Sequence, residues 1–381
     1  MIEVFSCLAG LSLVLTLWQF VAACRFPLHR RNAQNGERPA VTVLKPLKGC
    51  DQETVACLRS WLVQNYPGPV QFLFGVASPD DPVCEPVRTL VRDFPDKDAI
   101  LVVCRESLGP NPKVSTLIPL QRLAKHEIIV VSDADVRVAE DFLLNAVEPL
   151  RDETVGLVNC FYRLAQPQNL PMRLEAIGTN SDFWSQVLQA RSLSQIDFAL
   201  GAVMITRRGH LERIGGFEAL VDYLADDYML GNLIARNQGR IVFSPLVVDC
   251  CSGRMSWPEV WSRQRRWART MRFCKPLPYF FSILSNATLW PFLWWVSEPG
   301  VWPGVAACLF TRVLTSLIQQ WRFTRDRSCV AYAWLVPVKD LLQAALWALA
   351  FVGHEVTWKN RRFRVRRGGR LVGEVHPPRF Y

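Results

Sequence analysis

The sequence predicts an α/β fold, a mainly parallel sheet covered by helices, joined to membrane segments at both ends. Three observations carry this. From residue 41 to 132, short apolar runs alternate with helix-patterned stretches, the rhythm of parallel strands linked by crossover helices. Val4–Cys24 forms an apolar run long enough to cross a bilayer core of about 30 Å. Beyond Lys275 the composition turns apolar and rich in tryptophan.

Taken in order, the N-terminal run carries only Glu3 before it and Arg25, His29, Arg30 and Arg31 after it. A secretory signal carries its charge in front, so the run reads as an uncleaved anchor whose C-terminal end faces the cytosol. A polar linker, RNAQNGER, covers 31–38. Strands are expected at Val41–Leu44, Val70–Val76, Ile100–Val103 and Glu127–Ser132. Helices are expected between them over Glu53–Gln64, Pro82–Phe94 and Lys113–Ala124. The alternation continues with a strand at Val155–Tyr162, a long helical stretch from Leu170 to Arg191 and an apolar segment at Phe198–Thr206. A turn at Gly215-Gly216, a helix from Ala225, a strand at Arg240–Ser244 and a basic helix over Ser256–Phe273 complete this part.

Three apolar stretches follow, Tyr279–Val296, Val301–Trp321 and Val330–Val352. The basic runs WRFTRDR and WKNRRFRVRRGGR after the second and third place those ends in the cytosol, so the first two should cross as a hairpin. The third starts and ends on one side and carries Lys339 and Asp340 at its middle, which fits an interfacial or re-entrant segment. The expected domains are therefore an anchor at 1–25, a cytosolic catalytic domain at 40–275, membrane or interfacial helices at 276–354 and a basic tail at 355–381.

Bulk composition agrees. The 381 residues suffice for one large domain or two smaller ones, half of them are hydrophobic, and the formal charge is +10. Several of the fourteen tryptophans, among them Trp290, Trp294, Trp295 and Trp302, cluster at apolar runs as in an interfacial belt. Twelve cysteines show no C-x-x-C pair and no metal-like spacing with the five histidines; they fit a reducing compartment without disulfides or structural zinc. A nucleic-acid partner is not expected beside such membrane segments. A membrane carrier is disfavoured because the segments are few and show no paired repeat.

The chemistry is carried by carboxylates. The strand EIIVVS runs straight into Asp133 and Asp135, and Asp80 and Asp81 lie just past the strand ending at Val76. In open parallel sheets, ligands sit beyond such carboxyl ends. A third cluster, Asp226 and Asp227, is followed by RQRRW with Arg263, Arg266 and Trp267. Each cluster alone reads as a turn or helix cap, and the basic helix alone reads as a membrane-surface helix. Together they match what transfer of a sugar from a nucleotide diphosphate needs. A D-x-D suits a hard cation of the Mg²⁺ or Mn²⁺ type, which takes one or two protein carboxylates plus phosphate oxygens. A carboxylate such as Asp227 can serve as general base. Arg263 and Arg266 can pair with phosphate oxygens, and Trp267 can offer an apolar wall to an acceptor.

With these motifs in this order, the chain resembles the ceramide glucosyltransferases, inverting membrane enzymes with a glycosyltransferase A-type fold. The likeness runs through VTVLKPLKG (41–49), the DDP of 80–82, NPKVSTL (111–117), SDADVRV (132–138), VGLV (155–158), LADDYML (224–230), the R-x-x-R-W of 263–267 and EVTWKNRRFRVRRGG (355–369). The resemblance implies that Asp133 contacts the nucleotide, that Asp135 with Asp133 ligates the metal and that Asp227 is the catalytic base with Asp226 beside it. It further implies that Lys113 approaches the nucleotide and that Arg263, Arg266 and Trp267 close the diphosphate and acceptor site. The family's first aspartate directly follows its strand; here Ser78 stands near that place, leaving Asp80 and Asp81 as candidates for the uracil side. Some members lack the second acid of D-x-D, and retention of Asp135 favours metal dependence.

The expected activity is transfer of glucose from UDP-glucose to the hydroxyl of ceramide by an integral, multi-pass membrane protein whose catalytic domain faces the cytosol. The alternatives are another lipid acceptor (a hopanoid or diacylglycerol), another UDP-hexose, or a non-catalytic membrane-surface binding protein. A processive polysaccharide synthase is disfavoured, because the C-terminal segments are too few to build a translocation channel.

Overall fold

The computed structural model describes residues 2–31, 38–358 and 361–374; most of the expected linker and the end of the basic tail lie outside them. The chain opens with α1 (Ile2–Arg25), β1 (Val41–Leu47), α2 (Thr54–Leu62), β2 (Val70–Val76), α3 (Cys84–Asp93) and β3 (Asp98–Val103). Next come α4 (Pro112–Leu123), β4 (Ile128–Ser132), β5 (Val136–Arg137), α5 (Phe142–Ala146) and β6 (Val155–Leu164). Then follow α6 (Leu170–Ile177), α7 (Trp184–Leu193), β7 (Val203–Arg207), α8 (Arg208–Arg213), α9 (Asp226–Arg236) and β8 (Arg240–Cys250). The C-terminal part holds α10 (Trp257–Cys274), α11 (Pro276–Phe281), α12 (Leu289–Ser297), α13 (Trp302–Thr324), α14 (Leu335–Ala350) and the short strands β9 (Glu355–Trp358), β10 (Arg361–Val365) and β11 (Leu371–Glu374).

These elements divide into two compact units. The α/β unit comprises 29–166, 195–253 and the chain from 369 onward; the helical unit comprises 1–28, 167–194 and 254–368.

In the α/β unit eight strands form one sheet in the order β3-β2-β1-β4-β7-β6-β8-β5. The first four are parallel, as the alternation predicted. The sheet is mixed beyond β4: β7 runs antiparallel to both β4 and β6, and β5 antiparallel to β8. Side chains of β1 and β4 alternate between two cores. Val41, Val43, Ile128 and Val130 join Trp61, Phe72 and Phe142 on one face; Leu44, Ile129 and Val131 join Leu117, Leu230 and Ile234 on the other. Burial on both faces explains the unbroken apolar reading of these strands. The cores fix the strand ends, and β4 therefore delivers Asp133 and Asp135 at a defined edge.

The helical unit is built inside out. On α1 the buried residues are Ala9, Ser12, Thr16, Gln19 and Ala23, whereas Val14 is 61% exposed and Val4, Leu17 and Val21 are also outward. On α13, Arg312, Thr315, Ser316 and Gln319 are buried, and Phe310 is 68% exposed. Apolar residues outward and polar residues inward is the pattern of helices solvated by lipid. Among the described residues, two helical stretches are long and apolar enough to cross a membrane, Ile2–Arg25 and Pro299–Thr324.

The expected hairpin is corrected in its first limb. Tyr279–Val296 is split among α11, a 3₁₀ turn at Ser282–Ser285 and α12. The nine residues of α12 rise only about 14 Å, half a bilayer core. Prolines 276, 278 and 291 and the turn-prone Ser285-Asn286 pair break the run. The third stretch yields a 16-residue helix, about 24 Å long and likewise short of a bilayer. The long helix expected over 170–191 is interrupted by a π-helical segment, Gly178–Phe183, between α6 and α7.

Candidate active site

The D-x-D forms the tight turn that joins β4 to β5. The Asp133 amide donates to the Ala202 carbonyl on the segment leading into β7, and Val136 N–H folds back on Asp133 O at 3.4 Å. The Asp135 carbonyl receives Cys251 N–H at 2.9 Å and the Cys57 thiol at 3.4 Å, which ties the turn to α2 and to the end of β8. Both carboxylates are half-buried at the strand's carboxyl end.

Lys113 gathers the remaining acids. Its Nζ lies 2.8 Å from Asp133 Oδ1 and 3.0 Å from Asp226 Oδ2. The motif NPK explains how. Asn111 caps α4 by accepting from the amides of Lys113 and Val114 at 3.0 and 3.1 Å, and Pro112 occupies the first helical turn, where no donor is missed. Asn111 also donates to Tyr223 O at 2.7 Å, locking α4 to the loop that precedes Asp226. Burial opposes the ammonium charge, yet Asp133, Asp226 and Asp227 outweigh it and raise the Lys113 pKa. Lys113 is therefore a fixed cation.

Asp226 and Asp227 open α9, where the helix dipole favours carboxylates. Asp227 Oδ1 accepts from its neighbour's amide, Tyr228 N–H, at 2.7 Å. Burial, then the charge of Asp226, push the Asp227 pKa up to about 6, against the pull of Lys113. That value suits a base working near neutral pH. Asp226 is buried, and its Oδ2 faces the Lys113 ammonium at 3.0 Å. Gly201 faces the same acids; a Cβ there would stand 2.9 Å from Asp227 Oδ2.

Lys45 is a residue that sequence reasoning missed. It is wholly buried on β1, and its Nζ donates to Asp133 O at 2.6 Å and Ser132 Oγ at 3.1 Å, over the Trp61 ring. Burial pulls its pKa down to about 8, against Cys57, Asp135 and Asp133. The signal was a lysine inside the apolar strand VTVLKPL. Of the two acids after β2, Asp81 accepts from the amides of Gly49 and Val83 and so holds two loops together. Asp80 is exposed.

Arg263, Arg266 and Trp267 belong to the helical unit, on α10. That helix starts with a capping box in which Ser256 and Glu259 satisfy one another. Arg263 is bound through both Nε and Nη2 by Glu175 of α6, and Gln264 donates to the same carboxylate at 2.8 Å. Sequence reasoning missed Glu175. The guanidinium of Arg263 also lies 5.6 Å from the Trp267 ring centre. Arg269 donates to the carbonyls of Val352 and Glu355, fastening α10 to the start of β9 and the segment leading into it.

Among the described residues, no group of three or more His, Cys, Asp or Glu side chains is arranged to hold a metal by itself. Asp133 and Asp135 offer hard oxygen donors at the turn, one oxygen of Asp133 being engaged by Lys113. That set fits a cation that completes its shell with waters and diphosphate oxygens, as Mg²⁺ and Mn²⁺ do.

The sequence profile described as Glycosyl transferase family 21 matches residues 4–371. Similar proteins include "Ceramide glucosyltransferase 1" of Caenorhabditis elegans, 22% identical, covering 91% of this chain and 76% of its own. The "Ceramide glucosyltransferase" of Candida albicans is 21% identical and covers 86% of each chain. The "Beta-monoglucosyldiacylglycerol synthase" of Trichormus variabilis is 25% identical over 73% of this chain and 58% of its own. Among solved structures, a mannosyltransferase from Pyrobaculum calidifontis, determined with GDP-mannose and Mn²⁺, superposes with a TM-score of 0.52 at 23% identity, over 91% of this chain and 99% of that one. At that identity the likeness is one of fold.

Proposed function

The chain belongs to glycosyl transferase family 21, and from that premise we propose that it moves glucose from UDP-glucose to the hydroxyl of ceramide, with inversion at the anomeric carbon. The resemblance drawn from the motifs is borne out by the family match and by the ceramide glucosyltransferases among the relatives. The protein is a glycosyltransferase, and the non-catalytic binding reading is set aside.

The observation that carries the mechanism is the Lys113 bridge, which joins Asp133 to Asp226 beside an Asp227 with a pKa of about 6. In the proposed reaction the acceptor hydroxyl gives its proton to Asp227. Its oxygen bonds to the anomeric carbon, and the bond from that carbon to the diphosphate oxygen breaks, releasing UDP. Lys113 holds Asp133 towards the nucleotide and keeps Asp227 ionised. A divalent cation bound by Asp135 and Asp133 would supply charge neutralisation at the leaving diphosphate. Arg266 and Trp267 would complete the diphosphate and acceptor side, while Arg263 acts through the seat that Glu175 gives α10.

The donor and cation reading draws support from the D-x-D turn and from the Mn²⁺ and sugar nucleotide bound by the similarly folded mannosyltransferase. The cytosolic orientation draws support from the arginines that follow α1 and end α13. Diacylglycerol is the second reading for the acceptor, favoured by the likeness to the synthase of Trichormus variabilis.

The test is purified full-length chain in detergent with Mn²⁺, UDP-glucose and either ceramide or diacylglycerol, with product followed by mass spectrometry. Glucosylceramide is expected from the parent, and Asp227→Asn should lower kcat by about 10²–10⁴-fold. Glucosyldiacylglycerol alone would move the acceptor to the second reading. Transfer undiminished in Asp227→Asn would remove the base assignment.

A further inference from the structure

The helical unit holds a half-open cavity of about 210 Å³. Trp267 of the R-x-x-R-W motif stands in its wall with Met271, Ile283, Leu346 and Trp347. Asp182, Arg312 and Asp340 line its polar side. The π-helical segment between α6 and α7 is what carries Asp182, and such segments recur where a helix serves a site.

These three side chains and Lys339 form a closed quartet. Arg312 Nη2 donates to Asp182 Oδ2 and Asp340 Oδ1, both at 2.8 Å, and Lys339 pairs with the same two carboxylates. Thr288 and Ser181 hydroxyls occupy the remaining faces of Asp340 and Asp182. Two cations and two anions leave no net charge, and their bonding capacity is spent on one another. The quartet therefore ties α13, α14 and the π segment together without calling for an ionic ligand.

The cavity nonetheless retains polar groups that nothing uses. The Trp267 indole N–H and the Tyr279 hydroxyl make no hydrogen bond among the described residues. Gln343 accepts from Lys339 at 3.0 Å through its oxygen, which leaves its amide nitrogen unspent. Unspent donors beside a neutral quartet, with indole and aliphatic walls, in a unit whose α1 and α13 turn apolar residues outward, match a particular class of ligand. It is a lipid with carbonyl and hydroxyl groups at its head and no net charge. A phosphate brought into the same place would lose its hydration without a spare cation in return.

We propose that this cavity is the headgroup subsite of the acceptor lipid, selective for an uncharged hydroxyl- and carbonyl-bearing head over an anionic one. The proposal rests on the reading of the enzyme as one that glycosylates a lipid, and it names where that lipid is held. Trp267, Tyr279 and Gln343 would be its polar contacts.

The experiment uses the full chain in phosphatidylcholine nanodiscs with a short-chain fluorescent ceramide as probe and ceramide 1-phosphate as competitor. Ala344→Trp narrows the cavity and Gln343→Leu removes the unspent amide; Phe310→Ala alters the outer face as a control. Retained UDP binding reports that each variant is folded. Probe binding should weaken about tenfold in Ala344→Trp and in Gln343→Leu, the scale of one buried polar contact, and stay unchanged in Phe310→Ala. Ceramide 1-phosphate should compete about tenfold less well than unlabelled ceramide. Parent-like binding in both cavity variants, or equal competition by the phosphorylated lipid, would overturn the subsite. If the parent binds ceramide here yet never glucosylates it, the subsite stands and the ceramide reaction falls. If glucosylceramide is made with an unchanged acceptor KM in both cavity variants, the reaction stands and the subsite falls.

Discussion

Asp227 is set apart from the other acids by its surroundings. Burial and the charge of Asp226 hold its pKa near 6, and Lys113 keeps it from rising further. In the proposed role of base, a protonated Asp227 cannot accept the acceptor's proton, so kcat/KM should fall as pH drops below about 6, tenfold per unit. Lys113→Met removes the opposing cation; with Asp226 still beside it, the Asp227 pKa must rise and the acidic limb must move to higher pH. A pH–rate profile of parent and variant measures this. A limb that stays in place would show that Lys113 does not govern the base. These residues were legible because carboxylates at strand and helix ends stand out in sequence. Lys45 was less so: its function depends on burial under the Asp133 turn, and one lysine in an apolar strand does not reveal which way it points. The two loop amides that Asp81 accepts from were equally hidden, since an acid just past a strand does not show which backbone it will serve.

At the scale of elements, the basic helix α10 is seated by one buried carboxylate. Glu175 takes both the Arg263 guanidinium and the Gln264 amide, and its side chain is 1% exposed. Glu175→Ala leaves Arg263 without its partner, a loss of about 3 kcal/mol on the scale of broken buried pairs. A lowered thermal midpoint is expected together with slower transfer, because the same helix carries Arg266 and Trp267. A thermal scan and a rate assay test both, and an unaltered midpoint would mean that α10 is held elsewhere. The helix was plain in sequence; its partner was not, because Glu175 sits in a stretch that reads as uniform helix. The direction of β7 was hidden for a related reason. A strand buried on both faces presents an apolar run with no polarity along it, so the switch from parallel to mixed sheet is decided by pairing alone.

At the scale of the molecule, hydropathy located apolar segments but could not separate those that form one long helix from those that break. That depends on helix length, which prolines at 276, 278 and 291 cut short before α13 begins. The stronger sign of a lipid environment is the inverted distribution on α1 and α13. Val14 and Phe310 face outward while Ser12 and Ser316 are wholly buried. In water such an outer face would favour aggregation; in hydrocarbon it is the solvated one, and a charge placed there is penalised. Phe310 lies one turn or less from the middle of α13, where an arginine costs about 2.5–3.5 kcal/mol on insertion. Phe310→Arg should therefore lower the fraction of chain recovered in membranes, whereas Phe310→Leu should not, with quantitative immunoblotting of membrane and soluble fractions as the measurement. Equal recovery of both variants would mean that this face of α13 is not covered by lipid.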